Sequence, residues 1–534
     1  MTKHPTSVFE GIAQGLKVLQ QMADPDILRA TRIGLEKESL RVAGNGGIAM
    51  TSHPQAWGSA LTHAHITTDY SEALAEFITP PLGGARQALD FLADLQSYAY
   101  RHLDDEILWA TSMPCVLAGK DHIPIAQYGN SNVGQMKHIY RVGLGNRYGR
   151  VMQLIAGVHF NWSLAEEFWP MYAAAKQDHR SSKDLRDDHY MGLVRNITRL
   201  GWIIPYLFGA SPAVCRSFFV EGNSHLPLFD EHTYYEPYAT SLRMGDIGYQ
   251  NSKEEGLGFH VCYNNVQDYA DSLLQAITTP AEPWQRIGVK VEGEYRQLNA
   301  NILQIENEYY SSVRPKPVLQ GLQSPAVALK QQGVEYIELR SLDVNVYHPL
   351  GVDETQLRFL EAFMLTCLLS DSPLLSVQEQ AENNQNMLTV AHRGREPGVQ
   401  LLNDGVPQKL TNWGKQLLQA MQPVCEWLGR IHKTQAYQAM LDEQLQKLED
   451  TGLTPSARIL QEMTDNQEGF FKFAKRLSIQ HQQFFRKREL STSQCVMFDQ
   501  VAQQSWQDLE HIETAQQNNF DQFLADYFAS IANA

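Results

Sequence analysis

An α+β fold is predicted for this chain of 534 residues by the way its hydrophobic pattern changes along the sequence. Through residues 1–350, short segments of period-two alternation are mixed with helical stretches and Gly/Pro-punctuated loops. Several of these segments place polar groups on one face and apolar groups on the other, as strands do when one face lies in a core. Beyond about Val352 the period lengthens to that of helices, and β-branched runs become few. The chain is read as a single unit over 1–534. Residues 1–350 form its mixed core and 351–534 a mainly helical layer packed on it, with no internal repeat.

Taken in order, the first strand is Arg32–Val42, which sets Glu36 and Glu38 on one face and Ile33 and Leu35 on the other. Residues 66–78 read as a helix, because Asp69, Glu72 and Glu76 fall along one helical stripe. Residues 155–164 alternate cleanly: Ala156, Val158, Phe160, Trp162 and Leu164 oppose Gly157, His159, Asn161 and Ser163. In 336–340, Ile337 and Leu339 oppose Tyr336, Glu338 and Arg340. Asp353 is a suitable N-cap for a helix carrying Leu357, Leu360, Phe363, Met364 and Cys367. Further helices are expected around 411–429, 434–449, 467–487 and 503–531. The Gln/Asn-rich segment 378–386 reads as a surface loop.

Composition excludes several classes. Hydrophobic residues make up 43% of the chain and aromatics 10%, enough to bury a large core, so disorder is not its dominant state. Against 60 Asp and Glu stand 44 Lys and Arg, a formal charge of -16. Without a basic cluster such a chain is repelled by nucleic acid and anionic lipid. The N-terminal stretch lacks the apolar run of a signal peptide. The most apolar stretch, 200–214, is broken by Pro205, Gly209 and Pro212 and is too short to span a membrane. Cys115, Cys215, Cys262, Cys367, Cys425 and Cys495 show no paired spacing. They are expected to be reduced thiols of a cytoplasmic protein, mostly filling the core.

If the polar strand faces and the 66–78 stripe converge, a group of carboxylates and one imidazole surrounds a small volume. That much like charge is prohibitive to bury alone. Magnesium bridging to phosphate oxygens is a usual solution. Taken singly, each signal has a bland reading: a solvated strand face, a charged helix surface, or a hydrogen-bonded core histidine. Standard nucleotide loops are missing. Gly143-Leu-Gly145-Asn-Arg-Tyr-Gly149 has the wrong spacing for a dinucleotide fingerprint, and no GxxxxGK[ST] occurs. HExxH is absent too, and His63-Ala-His65 alone does not make a zinc site.

Longer motifs decide between these readings. Gly34-Leu-Glu-Lys-Glu-Ser-Leu-Arg-Val42 closely resembles the N-terminal signature of bacterial glutamate–cysteine ligases, the first enzymes of glutathione synthesis. The resemblance extends, in the family's order, through Gly58-Ser-Ala-Leu-Thr-His and Ile66-Thr-Thr-Asp-Tyr-Ser-Glu-Ala-Leu-Ala-Glu-Phe-Ile-Thr-Pro80. It continues in Ser112-Met-Pro-Cys115, Ala126-Gln-Tyr-Gly129, Ile204-Pro-Tyr-Leu-Phe-Gly-Ala-Ser-Pro212 and Tyr238-Ala-Thr-Ser-Leu-Arg243. Leu303-Gln-Ile-Glu-Asn-Glu308 and Glu335-Tyr-Ile-Glu-Leu-Arg-Ser-Leu-Asp343 complete it. Past residue 350 the match is thin.

The resemblance implies a glutamine-synthetase-like fold, in which a curved antiparallel sheet backed by helices forms the active-site funnel. It implies joining of the glutamate γ-carboxyl to the cysteine amine with ATP as co-substrate, through a γ-glutamyl phosphate. Glu36, Asp69, Glu76, His159 and Glu338 would hold magnesium, for which manganese substitutes, with Glu38 a further ligand on the nucleotide side. Arg340 would touch the transferring phosphoryl group, and Arg243 and Tyr249 would grip the glutamyl part and the reacting centre. Tyr140, Gln153, Tyr249 and Tyr310 would line the cysteine pocket. Arg141, Arg314 and Lys316 are assigned to nucleotide phosphates, mainly on charge. No residue is assigned to accept the amine proton. Tyr70, after Asp69, would make the cysteine pocket more polar. A monomer and feedback inhibition by glutathione are further family expectations. The alternatives are a ligase of the same fold using another amine, a dinuclear metallohydrolase and a non-catalytic binding protein.

Overall fold

The structure is a computed structural model and describes residues 9–115, 122–219, 224–248, 256–319, 321–516 and 518–532. Its central element is an antiparallel sheet of seven strands: β1 (Arg32–Val42), β2 (Ile66–Thr68), β3 (Leu74–Ile78), β4 (Ile107–Leu108), β5 (Val158–Ser163), β6 (Val313–Lys316) and β7 (Tyr336–Leu342). The order is β6-β7-β5-β1-β3-β2, with β4 paired to the far end of β1. β1 spans the residues its alternation predicts. On its core side Ile33 and Leu35 are fully buried. Lys37 shares that side; its Nζ donates to Gln96 Oε1 at 2.8 Å and to the Pro349 carbonyl at 3.4 Å. Burial pulls this ammonium down to about 7.

Behind the sheet, helix Ala85–Arg101 packs on β1 and β3, and helix Ser182–Leu200 on β6 and β7. Helix Glu354–Leu369 lies against both and is in turn covered by Leu410–His432 and Ala436–Glu449. One continuous apolar cluster, from Ile12 to Phe498, runs through these layers. On the opposite, polar face lie helix Asn132–Tyr148, the segment 303–325 and the C-terminal helix Phe520–Ala532. A second apolar cluster joins them, made of Met136, Ile139, Leu298 and Leu524.

The structure corrects four sequence readings. Residues 66–78 are the β2–β3 hairpin, because β3 pairs along β1 from Glu36↔Ile78 to Leu40↔Leu74 and buries Ala75 and Phe77 completely. Glu72 sits in its turn and accepts from the backbone N–H groups of His53 and Gln127. Residues 378–386 are helical, within Val377–Arg393, capped by Ser376 and with Asn386 turned inward to bond both N–H and C=O of Leu402. The expected 503–531 helix is two, Thr492–Ala515 and Phe520–Ala532. Cys115 and Cys215, 100 residues apart, form a disulfide with Cα atoms 5.2 Å apart. Cys367 and Cys425 are buried free thiols, as expected.

Other expectations hold. Asp353 caps Glu354–Leu369 in a reciprocal capping box: its Oδ1 accepts from Gln356 N–H at 2.8 Å, and Gln356 Oε1 accepts from its own N–H at 3.0 Å. The Gly143–Gly149 stretch belongs to helix Asn132–Tyr148 and its C-cap, and His63 Nδ1 accepts the turn N–H groups of His65 and Ile66. No helix is long and apolar enough to cross a membrane among the described residues. Since the capped helix is central to the core, Asp353→Ala should lower stability by about 1 kcal/mol. Urea denaturation measures this; an unchanged midpoint would show that the cap carries no weight.

Candidate active site

Strand register builds the site. Glu36 faces His159 across β1–β5, Glu38 faces Glu76 across β1–β3, and Glu338 faces Asn161 across β7–β5 and Arg314 across β7–β6. Directly opposed side chains on one sheet face stand about 5 Å apart, so these pairings force the acidic groups together. The His159 imidazole is their hub. Its Nδ1 lies 3.0 Å from Glu36 and 3.8 Å from Glu338, and its Nε2 lies 3.7 Å from Glu38. Asn161 donates to the other Glu36 oxygen at 2.8 Å.

The carboxylates divide by their surroundings. Burial pushes Glu338 up, but Lys316, Arg340 and His159 together hold it well below the usual carboxylate range. Burial likewise raises Glu36, but its hydrogen bond to His159 together with the charge interactions with His159 and Lys316 brings it below the usual range. Glu76 is pushed well above the usual range by burial and by Glu36, Asp69 and Glu38. Glu38 is also raised, by burial more than His159 lowers it, although its Oε2 accepts the Gly157 N–H at 2.6 Å. One side of the cluster is thus balanced by protein cations and the other is not. Ligand atoms of Glu36, Glu76 and His159 all lie within 4.8 Å of one another. Among the described residues, Glu338 Oε2 and Asn161 Oδ1 are buried without a hydrogen-bond partner. Oxygen-rich, over-negative and under-satisfied, this set fits a hard divalent cation.

Two arginines face the cluster. Arg340 Nη1 lies 3.4 Å from Glu338 and 3.5 Å from His159 Nδ1. Burial opposes its charge, but Glu338 and Glu38 hold the guanidinium more firmly protonated than usual. Arg243 is 2% exposed and donates to the Arg340 carbonyl at 2.8 Å. It stands 3.7 Å from Asp343, whose carboxylate accepts from Ala210 N–H at 2.8 Å and Ser241 Oγ at 2.9 Å. The 204–212 and 238–243 motifs therefore meet at Asp343 to place one guanidinium. Gly157 makes room for it: a side chain there would collide with the Arg243 guanidinium. Ser112, in the motif ending at the disulfide, fixes the same corner by accepting Ala156 N–H and Val344 N–H.

The 303–308 motif is the far wall. Glu308 accepts from Arg147 and Tyr148 of helix Asn132–Tyr148, both at 2.7 Å, and from Gln304 N–H at 2.7 Å. This clamps the segment that leads to Tyr310, whose hydroxyl meets Met244 Sδ at 3.3 Å. Together these elements enclose a cavity of about 540 Å³.

A family model described as glutamate-cysteine ligase matches residues 16–390. The chain belongs to the glutamate–cysteine ligase family. A glutamate–cysteine ligase from Pseudomonas paraeruginosa is 45% identical over 520 residues, covering 97% of this chain and 98% of the relative, and one from Pseudomonas fluorescens Pf0-1 is 44% identical over 527 residues, covering 98% of each. The crystal structure of the Francisella tularensis glutamate–cysteine ligase in complex with AMP superposes with a TM-score of 0.88 at 33% identity, covering 94% of this chain and 98% of that one. A bifunctional glutathione synthetase from Pasteurella multocida shares the fold, with a TM-score of 0.70 at 23% identity over 92% of this chain and 57% of that one.

In this ligase, Glu36, Glu38, Asp69, Glu76, His159, Glu338, Arg243, Arg340, Tyr140, Gln153, Tyr310, Arg141, Arg314 and Lys316 all line the one cavity. Tyr249 lies outside the described residues. Two of the basic residues spend donors on the main chain. Arg141 donates to the carbonyls of Asp69 and Lys137 and stacks on Tyr128, while Arg314 donates to those of Asn307 and Tyr309. The Tyr70 ring lines the cavity with its hydroxyl buried and, among the described residues, unpartnered. Burial raises that phenol to about 12. Asn161, placed by the alternation on His159's strand face but assigned no role, proves to bond Glu36, and Tyr527 of helix Phe520–Ala532, which carried no signal, was missed.

Two outcomes follow. Gly157→Ala displaces Arg243 without touching the carboxylates and should lower kcat/KM on the order of a hundredfold in a folded protein; near-normal turnover would deny the close approach its importance. The raised Glu38 and Glu76 favour the fold when protonated, so their contribution is full below the ordinary carboxylate pKa and lost as pH rises through their folded values. Glu36 and Glu338, shifted down, titrate below that range. In metal-free protein the Tm of Glu76→Gln should therefore gain on that of the wild type as pH rises above the ordinary carboxylate range, and magnesium should narrow the difference. A difference that does not change with pH would contradict the electrostatic account.

Proposed function

We propose that this enzyme joins the γ-carboxyl of L-glutamate to the amine of L-cysteine at the expense of ATP, within one catalytic unit whose chemistry is done on the polar face of the β1–β7 sheet. The observation that carries the reading is the divided cluster: five acidic groups around His159, faced by Arg340 and Arg243, in the fold and family of glutamate–cysteine ligases. An AMP complex of the Francisella relative supports an adenine nucleotide here.

A carboxylate does not acylate an amine, because oxide would have to leave. In the first step the glutamate γ-carboxylate oxygen attacks the γ-phosphorus of ATP; the new O–P bond forms as the bond to the bridging oxygen breaks, and ADP departs. Arg340, firmly protonated and next to Glu338, is placed to bind the equatorial oxygens of the moving phosphoryl group. Arg243, immobilised by Asp343 and Gly157, orients the glutamate. In the second step the cysteine nitrogen attacks the acyl carbon, the bond to phosphate breaks, and the nitrogen loses a proton. Tyr140, Gln153 and Tyr310 surround the incoming amino acid. Glu36, Glu38, Asp69, Glu76, His159 and Glu338 would hold magnesium, or manganese in its place, which supplies charge neutralisation at the phosphates and at the tetrahedral oxyanion. Arg141, Arg314 and Lys316 add positive charge beside the nucleotide. A cytoplasmic monomer inhibited by glutathione completes the reading, on the family resemblance.

The test is phosphate release from ATP and magnesium with glutamate, with and without cysteine, then with 2-aminobutyrate or ammonia. Release that requires both amino acids, with γ-glutamylcysteine formed, is the expected result; release with another amine instead would reassign the acceptor. Glu36→Gln should cost about a hundredfold or more in rate, and near-normal turnover would remove Glu36 from the metal set.

A further inference from the structure

The chain leaving β7 turns away from the reactive face and meets helices of the last hundred residues, enclosing a second cavity. Its volume is about 380 Å³, and it shares no lining residue with the first. Phe208 and Tyr347 give it aromatic walls; Lys447, Arg458, Asp353 and Glu443 give it charge.

Lys447 is the residue that points to a ligand. It is 8% exposed, yet among the described residues its ammonium has only long contacts: the Leu207 carbonyl at 3.4 Å, the Glu443 carboxylate at 3.5 Å and the Phe208 ring centroid at 5.1 Å. An ammonium carries three donors, and charge-assisted bonds are normally about 2.8 Å long. Burial lowers its proton affinity, as under-compensated charge should. Arg458 stacks on the Tyr347 ring at 4.3 Å and has no carboxylate at ion-pair distance among the described residues. On the acidic side, Asp353 spends its oxygens on Gln356 N–H and Asn345 Nδ2. Glu443, 52% exposed at the rim, is held among the described residues only by the long Lys447 and Gln444 contacts.

An anion alone would answer Lys447 and Arg458 but lie against Asp353 and Glu443, and a cation alone would do the reverse. We propose that this cavity binds a small zwitterion, an amino acid or short peptide, with its carboxylate between Lys447 and Arg458 and its ammonium toward Glu443. The wall it touches is connected to the active site. Tyr347 and His348 lie between Asp343, which places Arg243, and Pro349, whose carbonyl Lys37 of β1 grips. The occupant therefore acts on the strands carrying Glu36, Glu38 and Glu338, and changes kcat without competing for substrate. This kinetic part rests on the ligase reading; the binding part does not.

The experiment is calorimetric titration of glycylglycine into full-length protein free of ATP and metal, for the wild type, Lys447→Met and Arg458→Ala. The expected wild-type Kd is on the order of millimolar, as for a ligand of few atoms. Binding should weaken at least about tenfold in both variants, and acetate should bind the wild type more weakly than the dipeptide. Without dipeptide, the variants should turn over as the wild type does, and dipeptide should alter kcat only in the wild type. Equal binding by all three proteins, or no binding up to about 50 mM, overturns the site. Acetate binding as tightly as the dipeptide overturns the zwitterion. Binding lost in the variants, with wild-type rates unmoved by the dipeptide, overturns the link to catalysis.

Discussion

Like charges packed on one face of a β-sheet are the constraint from which the rest of this structure follows. Backbone pairing fixes the spacing of Glu36, Glu38, Glu76 and Glu338 around His159, and no side-chain rotation can separate them far. The surrounding framework is correspondingly stiff. Asp343 ties three segments together beneath Arg243, Glu308 ties its own segment to helix Asn132–Tyr148 behind Tyr310, and the Cys115–Cys215 bond joins two more stretches of the chain. Each holds in place something that electrostatics would spread apart. The imbalance that remains, with Lys316 and Arg340 holding Glu338 ionised while Glu76 is pushed toward its protonated form, gives the cavity a direction.

β1 shows how one strand serves two environments. Its outward carboxylates line the large cavity, while Lys37, between them in sequence, is buried in the opposite layer and paired with neutral oxygens of Gln96 and Pro349. An interior cation without a carboxylate partner is costly. Here it anchors the strand at two distant points, one in helix Ala85–Arg101 and one in the chain following β7.

Much of the site was legible because parity is legible. The alternation of Arg32–Val42, 155–164 and 336–340 identified which side chains share a face, and the acidic groups on those faces are the ones that converge. What failed were features set by partners distant in sequence. Asp69, Glu72 and Glu76 have helical spacing, but pairing with β1 overrides it and sends Glu72 to cap a loop instead. Polar side chains in 378–386 suggested solvent, whereas Asn383 and Asn386 face inward and Asn386 is bonded across to Leu402. Two cysteines 100 residues apart carry no local sign that they will meet. The overall family was clear from motifs; the reason those motifs hold together, namely Asp343, Glu308 and Gly157 as structural hubs, needed the three-dimensional contacts.

Tyr527 has a consequence for the order in which the protein is made. It lines the cavity from helix Phe520–Ala532, nearly five hundred residues after Glu36, and that helix packs on Asn132–Tyr148. During synthesis, the sheet and its acidic face are complete long before this helix leaves the ribosome. Until then the nascent chain carries an open, strongly negative groove with its second apolar cluster uncovered. Helix Phe520–Ala532 covers that groove, so the interval between translating residue 343 and residue 532 is a period in which this protein needs protection from its neighbours.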